Sequence, residues 1–400
     1  MRKGWEYKKL GEVCTIERGG SPRPINDYIT DSEDGINWIK IGDAQEGSKY
    51  ITSTKEKIKP EGVKKSRFVH KGDFILSNSM SFGRPYILKV DGCIHDGWLV
   101  IHDNNDIFIK DYLYYLLANP TMYAKFSQLA VGGVVNNLNS SLVRKVEITI
   151  PPKSTQLAIV SELDKINELI RLKKEQLKDF DNLAQSLFSE LFGDPVENEK
   201  GWEVKKLGEI SSLICNGNTP KGGSEVYVDN GILFLRSQNV WKNRLDLDDV
   251  AFIDEATHKS LKKSALNHND LLITKTGRVN TENSSLGRTA LFEGEDGSAN
   301  INGHVYLVRL KEGMVHKYVL YILISNSYRE LIRRTCVGGI DKRQLNKNHI
   351  EDFPIIFPPL PLQRLFAQRI EQIEREKSEV QKSIQDLETL LASRMQYWFE

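Results

Sequence analysis

The side chains of this chain that could do chemistry are cations, amides and hydroxyls that recur in short polar loops. Arg and Lys pair with guanine in the major groove, and Asn and Gln pair with adenine. Ser, Thr and loop backbone amides suit phosphate oxygens. These residue types indicate nucleic-acid binding; the alternative is a set of solvated turns, because Gly, Asn and Ser favour loops in any protein. The candidate contacts are Ser21, Arg23, Asn78, Ser79, Ser81, Arg84, Asn136, Asn137, Lys221, Lys275, Thr276, Arg278, Asn280, Arg288, Lys342 and Arg343.

The candidates fall in matching loops of the two halves of the chain. The loops are residues 21–24, 77–84 and 132–139 in the first half, and residues 219–222, 274–288 and 338–346 in the second. The halves differ most in these loops, while the segments between the loops match. Two domains that recognise different half-sites would be expected to differ in their loops and to match in the segments between them.

The sequence contains no set of residues that indicates a catalytic or metal site. The eight histidines and four cysteines lack the spacing of metal ligands. Residues 42–49 resemble a phosphate-binding loop, but Ser precedes Lys, which reverses that motif. Asn119-Pro120 is interpreted as the end of a helix, because the second proline and the cofactor loop of an amino-methyltransferase are missing. We therefore predict no catalytic residue, no metal and no cofactor bound by this chain.

The composition is that of an ordinary globular protein of two or three domains. Of the 400 residues, 40% are hydrophobic and 27% are charged, and the net charge of +1 does not by itself indicate a nucleic-acid binder. The start of the chain has no apolar run typical of a secretory signal, and no stretch approaches the ~20 apolar residues of a membrane span. The scattered cysteines suit reduced thiols. We expect a cytoplasmic protein that does not bind membranes.

The chain contains two copies of one sequence unit. Residues 4–12 read GWEYKKLGE and residues 201–209 read GWEVKKLGE, which is eight matches in nine positions. Other segments match in the same order, among them residues 131–133 with residues 337–339. Each copy ends in a proline pair followed by a long helical segment. The pattern indicates tandem duplication of a large domain together with its own helix.

Both helical segments carry apolar residues at heptad spacing with charges between them, which is typical of a coiled coil. Lys173 and Lys377 interrupt the seam, either as snorkelling lysines or as polar residues that fix the pairing register. Residues 193–200 can span at most roughly 27 Å, whereas each helix is about 50 Å long. This favours an antiparallel pair with one domain at each end. The predicted seam is Ile159, Leu163, Ile166, Ile170, Leu177, Phe180, Leu187, Phe366, Ile370, Ile373, Val380, Ile384, Leu387 and Leu391.

We therefore predict an α+β fold with two similar mixed α/β domains, separated by a long antiparallel two-helix coiled coil with pseudo-two-fold symmetry. The predicted boundaries are 1–152 for the first domain, 153–193 for the first helix, 194–200 for a linker, 201–359 for the second domain and 360–400 for the second helix. Strands are predicted at 37–41, 74–76, 98–101 and 146–150, and shorter helices at 110–119 and 316–326. The strand order does not follow from these patterns.

The chain resembles the specificity subunit of type I restriction–modification enzymes. The resemblance rests on residues 4–12 and 201–209, on the Gly-Gly…Leu-Asn segments, and on the proline pairs followed by Gln156 and Gln363. It covers the whole chain. It implies two target-recognition domains that each read one half of a bipartite asymmetric DNA site. It also implies a coiled coil that sets the spacing and docks the methyltransferase subunits, and a subunit that is itself non-catalytic.

The resemblance implies partners as well. These are double-stranded DNA, two modification (methyltransferase) subunits, and restriction (translocase and nuclease) subunits. S-adenosylmethionine, ATP and magnesium are expected on those partner subunits, which would methylate adenine at N6 and cleave DNA. The alternatives are a specificity factor of a methylation-only system and a structural coiled-coil adaptor. Salt-dependent DNA binding distinguishes a reader from an adaptor.

Overall fold

The computed structural model describes residues 2, 4–45, 47–78, 83–129, 138–279, 281, 283–339 and 342–400, together with the backbone of residue 130. The chain divides into two compact units. The first unit comprises Met1–Lys174 and Lys382–Glu400, and the second unit comprises Glu175–Gln381. Each unit thus combines one predicted domain with a part of each long helix.

The first unit alternates short strands with a few short helices before the first long helix begins. Its strands are β1 (Glu6–Lys9), β2 (Cys14–Arg18), β3 (Ile29–Thr30), β4 (Ile36–Ile39), β5 (Tyr50–Ile51), β6 (Glu56–Ile58), β7 (Arg67–Val69), β8 (Phe74–Ser77), β9 (Pro85–Leu88), β10 (Gly92–Ile94), β11 (Trp98–Asp103) and β12 (Glu147–Ile150). Its helices are α1 (Leu10–Val13), α2 (Lys110–Ala118), α3 (Pro120–Ala130), α4 (Ser140–Arg144) and the start of α5 (Lys153–Phe192).

The central layer of the first unit is a sheet with strand order β2–β11–β8–β9–β5. Side chains of a strand alternate between the two faces of a sheet. In β11, Leu99 and Ile101 pack with apolar residues of α1 to α4. Trp98 and Val100 pack against the second sheet, whose order is β3–β6–β4–β10–β7. Because both faces are covered, the central strands are apolar at nearly every position.

The second unit repeats this plan. Its strands are β13 (Val204–Lys206), β14 (Ser211–Asn216), β15 (Ile232–Leu235), β16 (Val240–Trp241), β17 (Arg244–Leu245), β18 (Ala251–Ile253), β19 (Leu271–Thr274), β20 (Thr276–Gly277), β21 (Thr289–Leu291), β22 (Ala299–Ile301), β23 (Val305–Leu310), β24 (Val337–Gly338), β25 (Arg343–Gln344) and β26 (Pro354–Ile356). Its helices are α6 (Leu207–Ile210), α7 (Glu255–Ser260), α8 (His316–Leu323), α9 (Asn326–Thr335), α10 (Lys347–Glu351) and the start of α11 (Leu360–Phe399).

The central sheet of the second unit has the order β14–β23–β19–β21. Tyr306 and Val308 of β23 face the helices, and Val305 and Leu307 face the sheet β18–β15–β22. This layering matches that of the first unit. The second unit also contains a small sheet of order β20–β25–β24, which joins two of the predicted polar loops.

Within each unit the two long helices run antiparallel. In the first unit, Trp398 Nε1 donates to Glu162 Oε2 at 2.9 Å, while Lys174 Nζ lies 2.8 Å from Glu388 Oε1. The residue numbers on α11 therefore fall as those on α5 rise. The second unit shows the same order in two contacts: Lys377 Nζ lies 2.5 Å from Asp181 Oδ1, and the rings of Phe188 and Phe366 are 5.5 Å apart. The predicted α+β fold with an antiparallel helix pair is confirmed.

The heptad seam is buried or half-buried at every predicted position. At the end of α5 the buried row shifts by one residue, from the half-buried Leu187 and Leu191 to the buried Phe188 and Phe192. The shift occurs because this part of α5 packs into the core of the second unit as well as against α11. Lys377 pairs with Asp181 across the seam, which satisfies its charge.

Asn119-Pro120 both ends one helix and begins the next. Helix α2 stops at Ala118, and α3 starts at Pro120. The Met122 N–H donates to Asn119 Oδ1 at 2.8 Å, which is the bond of a helix N-cap. Proline suits the first helical position because its missing N–H would have no partner there. The second helix was not predicted from the sequence. Within the described part of the chain, each helix is too short or too polar to cross a membrane.

Candidate nucleic-acid interface

The three predicted loops of the first unit meet at the turn between β10 and β11. Ser21 Oγ donates to Asp96 Oδ1 at 2.8 Å, and Asn78 Nδ2 donates to the Asp96 carbonyl at 3.1 Å. The Asn78 N–H donates to the Gly97 carbonyl at 2.9 Å, and the Asn78 carbonyl accepts from Leu138 N–H at 2.9 Å. A single turn thus holds the start of one loop, the base of the second and the end of the third.

Arg23 is the exposed cation of this meeting point. Its guanidinium Nη2 lies 3.4 Å from Asp96 Oδ2, and its side chain is 79% exposed. Beside it opens a cleft of about 1120 Å³, whose lining includes Ser21, Lys40 and His95. The carboxylate tethers the arginine while leaving its outer edge toward solvent. Such a guanidinium can form the paired bonds that recognise guanine.

The imidazole of His95 supports the same turn. Its Nδ1 accepts from Gly97 N–H at 2.9 Å, and its Nε2 lies 3.0 Å from Asp96 Oδ1. Burial lowers the pKa of His95, and nearby cations such as Lys40 lower it further against the opposing charge of Asp96. Burial alone would raise the pKa of Asp96, but the Ser21 hydrogen bond and neighbouring positive charges bring it below its usual value. The neutral imidazole therefore donates from Nε2 to an ionised carboxylate.

The loops of the second unit meet at the corresponding turn. The Lys275 N–H donates to the His304 carbonyl at 2.8 Å, and the Lys275 carbonyl accepts from Leu345 N–H at 2.9 Å. Thr276 Oγ1 lies 3.4 Å from His304 Nδ1, and Thr276 also pairs with Gln344 across the small sheet. The long polar loop and the Gly-Gly loop are thereby joined along their edges.

These bonds match one by one between the units. Lys275 takes the place of Asn78, and the His304 carbonyl takes the place of the Gly97 carbonyl. The Asn302 side chain accepts from the N–H two residues ahead at 3.0 Å, as His95 does at 2.9 Å. The two units therefore share one scaffold of backbone bonds and differ in the side chains mounted on it.

Two glycines permit this close approach. A Cβ atom at Gly19 would lie 2.3 Å from the His95 carbonyl oxygen, and one at Gly217 would lie 2.0 Å from the Ile301 carbonyl oxygen. Any larger residue would push the first loop away from the turn. The Gly-rich starts of the loops at residues 19–22 and 217–220 follow from this requirement.

The second unit presents its cations around a shallower cleft of about 470 Å³. The cleft is lined by Thr276, Arg278, Asn283, Ser285 and Lys342, among others. Arg278 and Lys342 are exposed. Lys221 is also exposed. It lies two residues after Thr219, which is close to the turn of the second unit, because its Oγ1 would be 3.6 Å from a Cβ atom at Gly303. Exposed cations around a groove suit contact with phosphates and base edges.

Some predicted contact residues have side chains that hold the scaffold. Asn78 is 1% exposed, so its side chain braces the loop through the Asp96 carbonyl. Arg288 donates to the carbonyls of Ser284 at 3.0 Å and Asn283 at 2.5 Å, which holds its own loop. Arg343 is half-buried, and its Nε has no hydrogen-bond partner among the described residues.

Other predicted contacts lie outside the described residues. These are Ser79, Ser81, Asn136, Asn137 and Asn280. Arg84 is described and exposed, at the point where its loop rejoins β9.

The predicted set lacked three groups that the structure places at these loops. Asp96 is not among the predicted contacts, because those are cations, amides and hydroxyls, although a carboxylate inside a basic loop set is itself a signal. Lys242 and Arg244 flank Asn243 in a hairpin, and the Asn between two short strands could have indicated that turn. Among the described residues, no three His, Cys, Asp or Glu side chains converge as metal ligands would.

Comparison with known proteins assigns the chain to a family. The family model described as "Type I restriction modification DNA specificity domain" matches residues 2–179 and again residues 199–389. The type I restriction enzyme MjaIX specificity subunit of Methanocaldococcus jannaschii is 26% identical over 97% of this chain and 91% of its own length. The StySPI specificity subunit of Salmonella potsdam is 19% identical over 99% of this chain and 88% of its own length.

Solved structures share the fold. A chain from a study of complex assembly and conformational transition of the type I R-M system aligns over 100% of this chain and 98% of its own length, with a TM-score of 0.64 and 19% identity. The S subunit of the type I restriction–modification system from M. genitalium aligns over 98% and 95%, with a TM-score of 0.52 and 13% identity. With its two matched domains and their shared scaffold of loops, the chain belongs to the family of type I restriction–modification DNA specificity subunits, which recognise DNA.

Proposed function

We propose that this chain is the DNA sequence-recognition subunit of a type I restriction–modification complex, and that each unit reads one half of a bipartite asymmetric site. The observation that carries the proposal is the shared scaffold around Gly97 and His304, on which the two units mount different loops. The matched bonds Gly83 N–Ser77 O and Gly287 N–Thr274 O enclose residues 78–82 in one unit and residues 275–286 in the other. Equal scaffolds with unequal loops suit the reading of two different sequences.

Recognition in the first unit centres on Arg23 and Asp96. The ionised carboxylate orients the guanidinium toward solvent, and Arg23 then donates two hydrogen bonds to a guanine in the major groove. A bidentate pair of this kind contributes about 1–3 kcal/mol of discrimination against the wrong base. Serine hydroxyls and loop amides hold the phosphates and set the register. In the second unit Arg278, Lys342 and Lys221 take these roles.

The proposal includes partners that supply the chemistry. Two modification subunits dock on the coiled coil formed by α5 and α11, whose length sets the spacing between half-sites. They bind S-adenosylmethionine and methylate adenine at N6, and restriction subunits with ATP and magnesium translocate and cut DNA. The chain itself is non-catalytic and acts in the cytoplasm. The residues described here support that division, because the exposed groups at the loops are cations, amides and hydroxyls suited to binding.

A reconstitution assay tests this function. The full chain is purified alone and together with its methyltransferase partners, and methyl transfer to double-stranded DNA is measured. We expect transfer only in the complex, and at the same sequence in every substrate. Transfer by the chain alone would contradict the non-catalytic role. DNA binding that is absent at low salt would instead favour a structural adaptor, while methylation without restriction subunits in the source operon would indicate a methylation-only system.

A further inference from the structure

A short hairpin in the second unit gathers cations beside an indole ring. Strands β16 and β17 pair through Trp241 and Arg244, and Lys242 and Asn243 form the two-residue turn. Asn243 takes the left-handed conformation with a φ of 59°, as such turns require. Its N–H donates to the Thr289 carbonyl at 2.9 Å, which fixes the hairpin to the central sheet. The turn therefore presents Lys242 and Arg244 from a rigid base.

Arg288, the loop residue that precedes β21, joins these residues. Its Cζ atom lies 3.8 Å from the centroid of the Trp241 ring, and the Cζ atom of Arg244 lies 5.4 Å from the same centroid. Guanidinium groups at this distance from an indole are held by cation–π attraction. Lys242 and Arg288 also line one cleft of about 160 Å³ with Trp241. Trp241, Lys242, Arg244 and Arg288 are called the Trp241 cluster below.

Positive charge in the Trp241 cluster is poorly compensated within the chain. Lys242, Arg244 and Arg288 form no ion pair with any residue that the structure describes. Asp181 is the acidic residue whose charge affects the pKa of Lys242, but its carboxylate is already paired with Lys377 at 2.5 Å. Like charges held together without counter-charge raise the free energy of the folded state, and a bound anion would offset that cost.

The titration of the cluster agrees with this picture. Burial lowers the pKa of Arg288, and the charges of Arg329 and Arg244 lower it further. Burial also lowers the pKa of Lys242, with a further contribution from Arg329 that Asp181 opposes. Burial is the larger cause of both shifts, and the smaller cause is neighbouring positive charge, which a bound phosphate would offset.

The first unit neutralises its cation at the matching place. Lys49 Nζ lies 5.0 Å from the ring centroid of Tyr115, the residue that matches Tyr321 beside Asn243. Two carboxylates hold Lys49: Asp111 Oδ1 at 2.5 Å and Asp164 Oδ1 at 3.6 Å. The open charge is therefore a feature of the second unit.

The cluster is continuous with the candidate reading surface. Arg288 binds the carbonyls of Asn283 and Ser284, and these two residues also line the cleft that holds Arg278 and Lys342. The 283–285 segment thus lies between the base-reading loops and the Trp241 cluster. A polyanion that fills the first cleft runs on toward the second. This continuity favours DNA over an acidic protein partner.

We propose that Lys242, Arg244 and Arg288 bind a phosphate of the DNA backbone next to the half-site read by the second unit. This inference rests on the proposed function. Arg288 is held in place by Trp241 and by its loop, while Lys242 and Arg244 approach from the turn. The contact carries no sequence information, because phosphates are the same at every step. It adds affinity and salt dependence to one half of the site.

The test compares two charge-removing variants of the full chain assembled with its methyltransferase partners. Lys242→Gln/Arg244→Gln removes two charges from the cluster and keeps the side-chain stems, and it spares Arg288, which braces the loop. Lys262→Gln/Lys263→Gln removes two exposed charges from a turn of the same unit outside both clefts. Binding to a short random-sequence duplex is measured at several salt concentrations, with thermal unfolding as a check of folding.

We expect the slope of log affinity against log salt to be smaller in magnitude by about two in the cluster variant, and to keep its wild-type value in the control variant. At one salt concentration its affinity for random and site-containing duplexes should fall by the same factor, roughly tenfold. A cluster variant with the slope of the control would overturn the inference. Weaker assembly with the methyltransferase at an unchanged slope would overturn it too, and would indicate a protein contact. A wild-type complex without salt-dependent binding would contradict the proposed function itself.

Discussion

Asn78 and Lys275 occupy the same position in the two units: each donates its N–H to the carbonyl of the central turn and accepts from a leucine N–H at 2.9 Å. Their side chains lie in different environments. The Asn78 amide is buried and donates to the Asp96 carbonyl at 3.1 Å. The Lys275 ammonium is half-exposed and lies 5.8 Å from the centroid of the Tyr306 ring. One backbone position thus braces a loop in one unit and offers a charge in the other.

Removing these two side chains should have opposite consequences. Asn78→Ala removes the hydrogen bond from the buried Asn78 amide to the Asp96 carbonyl, which keeps Arg18 Nε as a donor at 2.9 Å, so the free energy of unfolding should fall by about 1 kcal/mol. Lys275→Ala should change it by less than about 0.5 kcal/mol, as surface substitutions do, and should reduce the salt dependence of DNA binding. Chemical unfolding and binding titrations check both. Equal stability losses in the two variants would contradict the division of roles.

The sequence predicted the parts of this fold whose signal is local. Heptads and proline pairs placed the long helices at 153–193 and 360–400, and the structure has them at Lys153–Phe192 and Leu360–Phe399. The strand order could not be predicted, because central strands such as β8 and β11 are apolar on both faces and show no alternation. Helix α3 was missed because Asn119-Pro120 carries the signals of an ending and of a beginning alike.

The candidate site was predicted unevenly for a similar reason. Loop composition pointed to exposed residues such as Arg23 and Arg278. It could not separate them from Asn78 and Arg288, because only the tertiary contacts bury the Asn78 side chain and tie the Arg288 guanidinium to the carbonyls of its own loop. Asp96 matters to the site because its carboxylate accepts a hydrogen bond from Ser21, which is distant in the sequence and lies in another loop. Contacts of this kind have no local pattern.

Arg23 and Arg278 should each control one half of the recognised sequence. Arg23→Ala removes the guanidinium that we propose to pair with guanine, so discrimination at one base pair should fall by about 1–3 kcal/mol. The preference in the other half should stay as in the wild type, because the second unit keeps its own loops. Arg278→Ala should give the reverse result. Methylation of a duplex library with one randomised half at a time measures both. Relaxed preference in both halves after either change would argue against independent reading.

The histidine at the first turn should make stability depend on pH. Burial lowers the pKa of His95 below its ordinary value of 6.5, so the unfolded chain takes up the proton first as the pH falls. The contribution of neutral His95 is therefore present above that value and is lost below it. The stabilisation from Asp96, whose pKa is lowered from 3.8, is present above that value and is lost only under stronger acid.

His95→Asn separates this effect from other titrations. Asparagine is the residue at the matching position 302, and it can accept the same N–H two residues ahead. We expect the variant to match the wild type near neutral pH and to lose less stability as the pH falls below 6.5, the ordinary pKa of histidine. Unfolding in denaturant at each pH measures the difference. Parallel pH profiles for the two proteins would show that His95 does not titrate in this range.

The coiled coil should set the distance between the half-sites. One heptad inserted in the middle of α5 and one in the middle of α11 keeps the seam in phase, because seven residues are two turns of a coiled coil. The insertion lengthens the rod by about 10 Å, which is about three base pairs of DNA. We expect the methylated motif to keep both halves and gain that spacer. A heptad in α5 alone is the control, since it breaks the seam and should reduce stability. An unchanged spacer in the double insertion would contradict the spacing role.

If the two units read two separated sequences, the methylated motif is split, and mapping of N6-methyladenine across a whole genome would reveal it. The chain and its methyltransferase partners are expressed in a host without other methylation, and every modified adenine is located. Independent reading by the two units predicts one asymmetric motif of two specified segments separated by a spacer of fixed length. Exchange of residues 1–152 for another such domain should then change one segment only. A continuous motif, or an exchange that alters both segments, would contradict it.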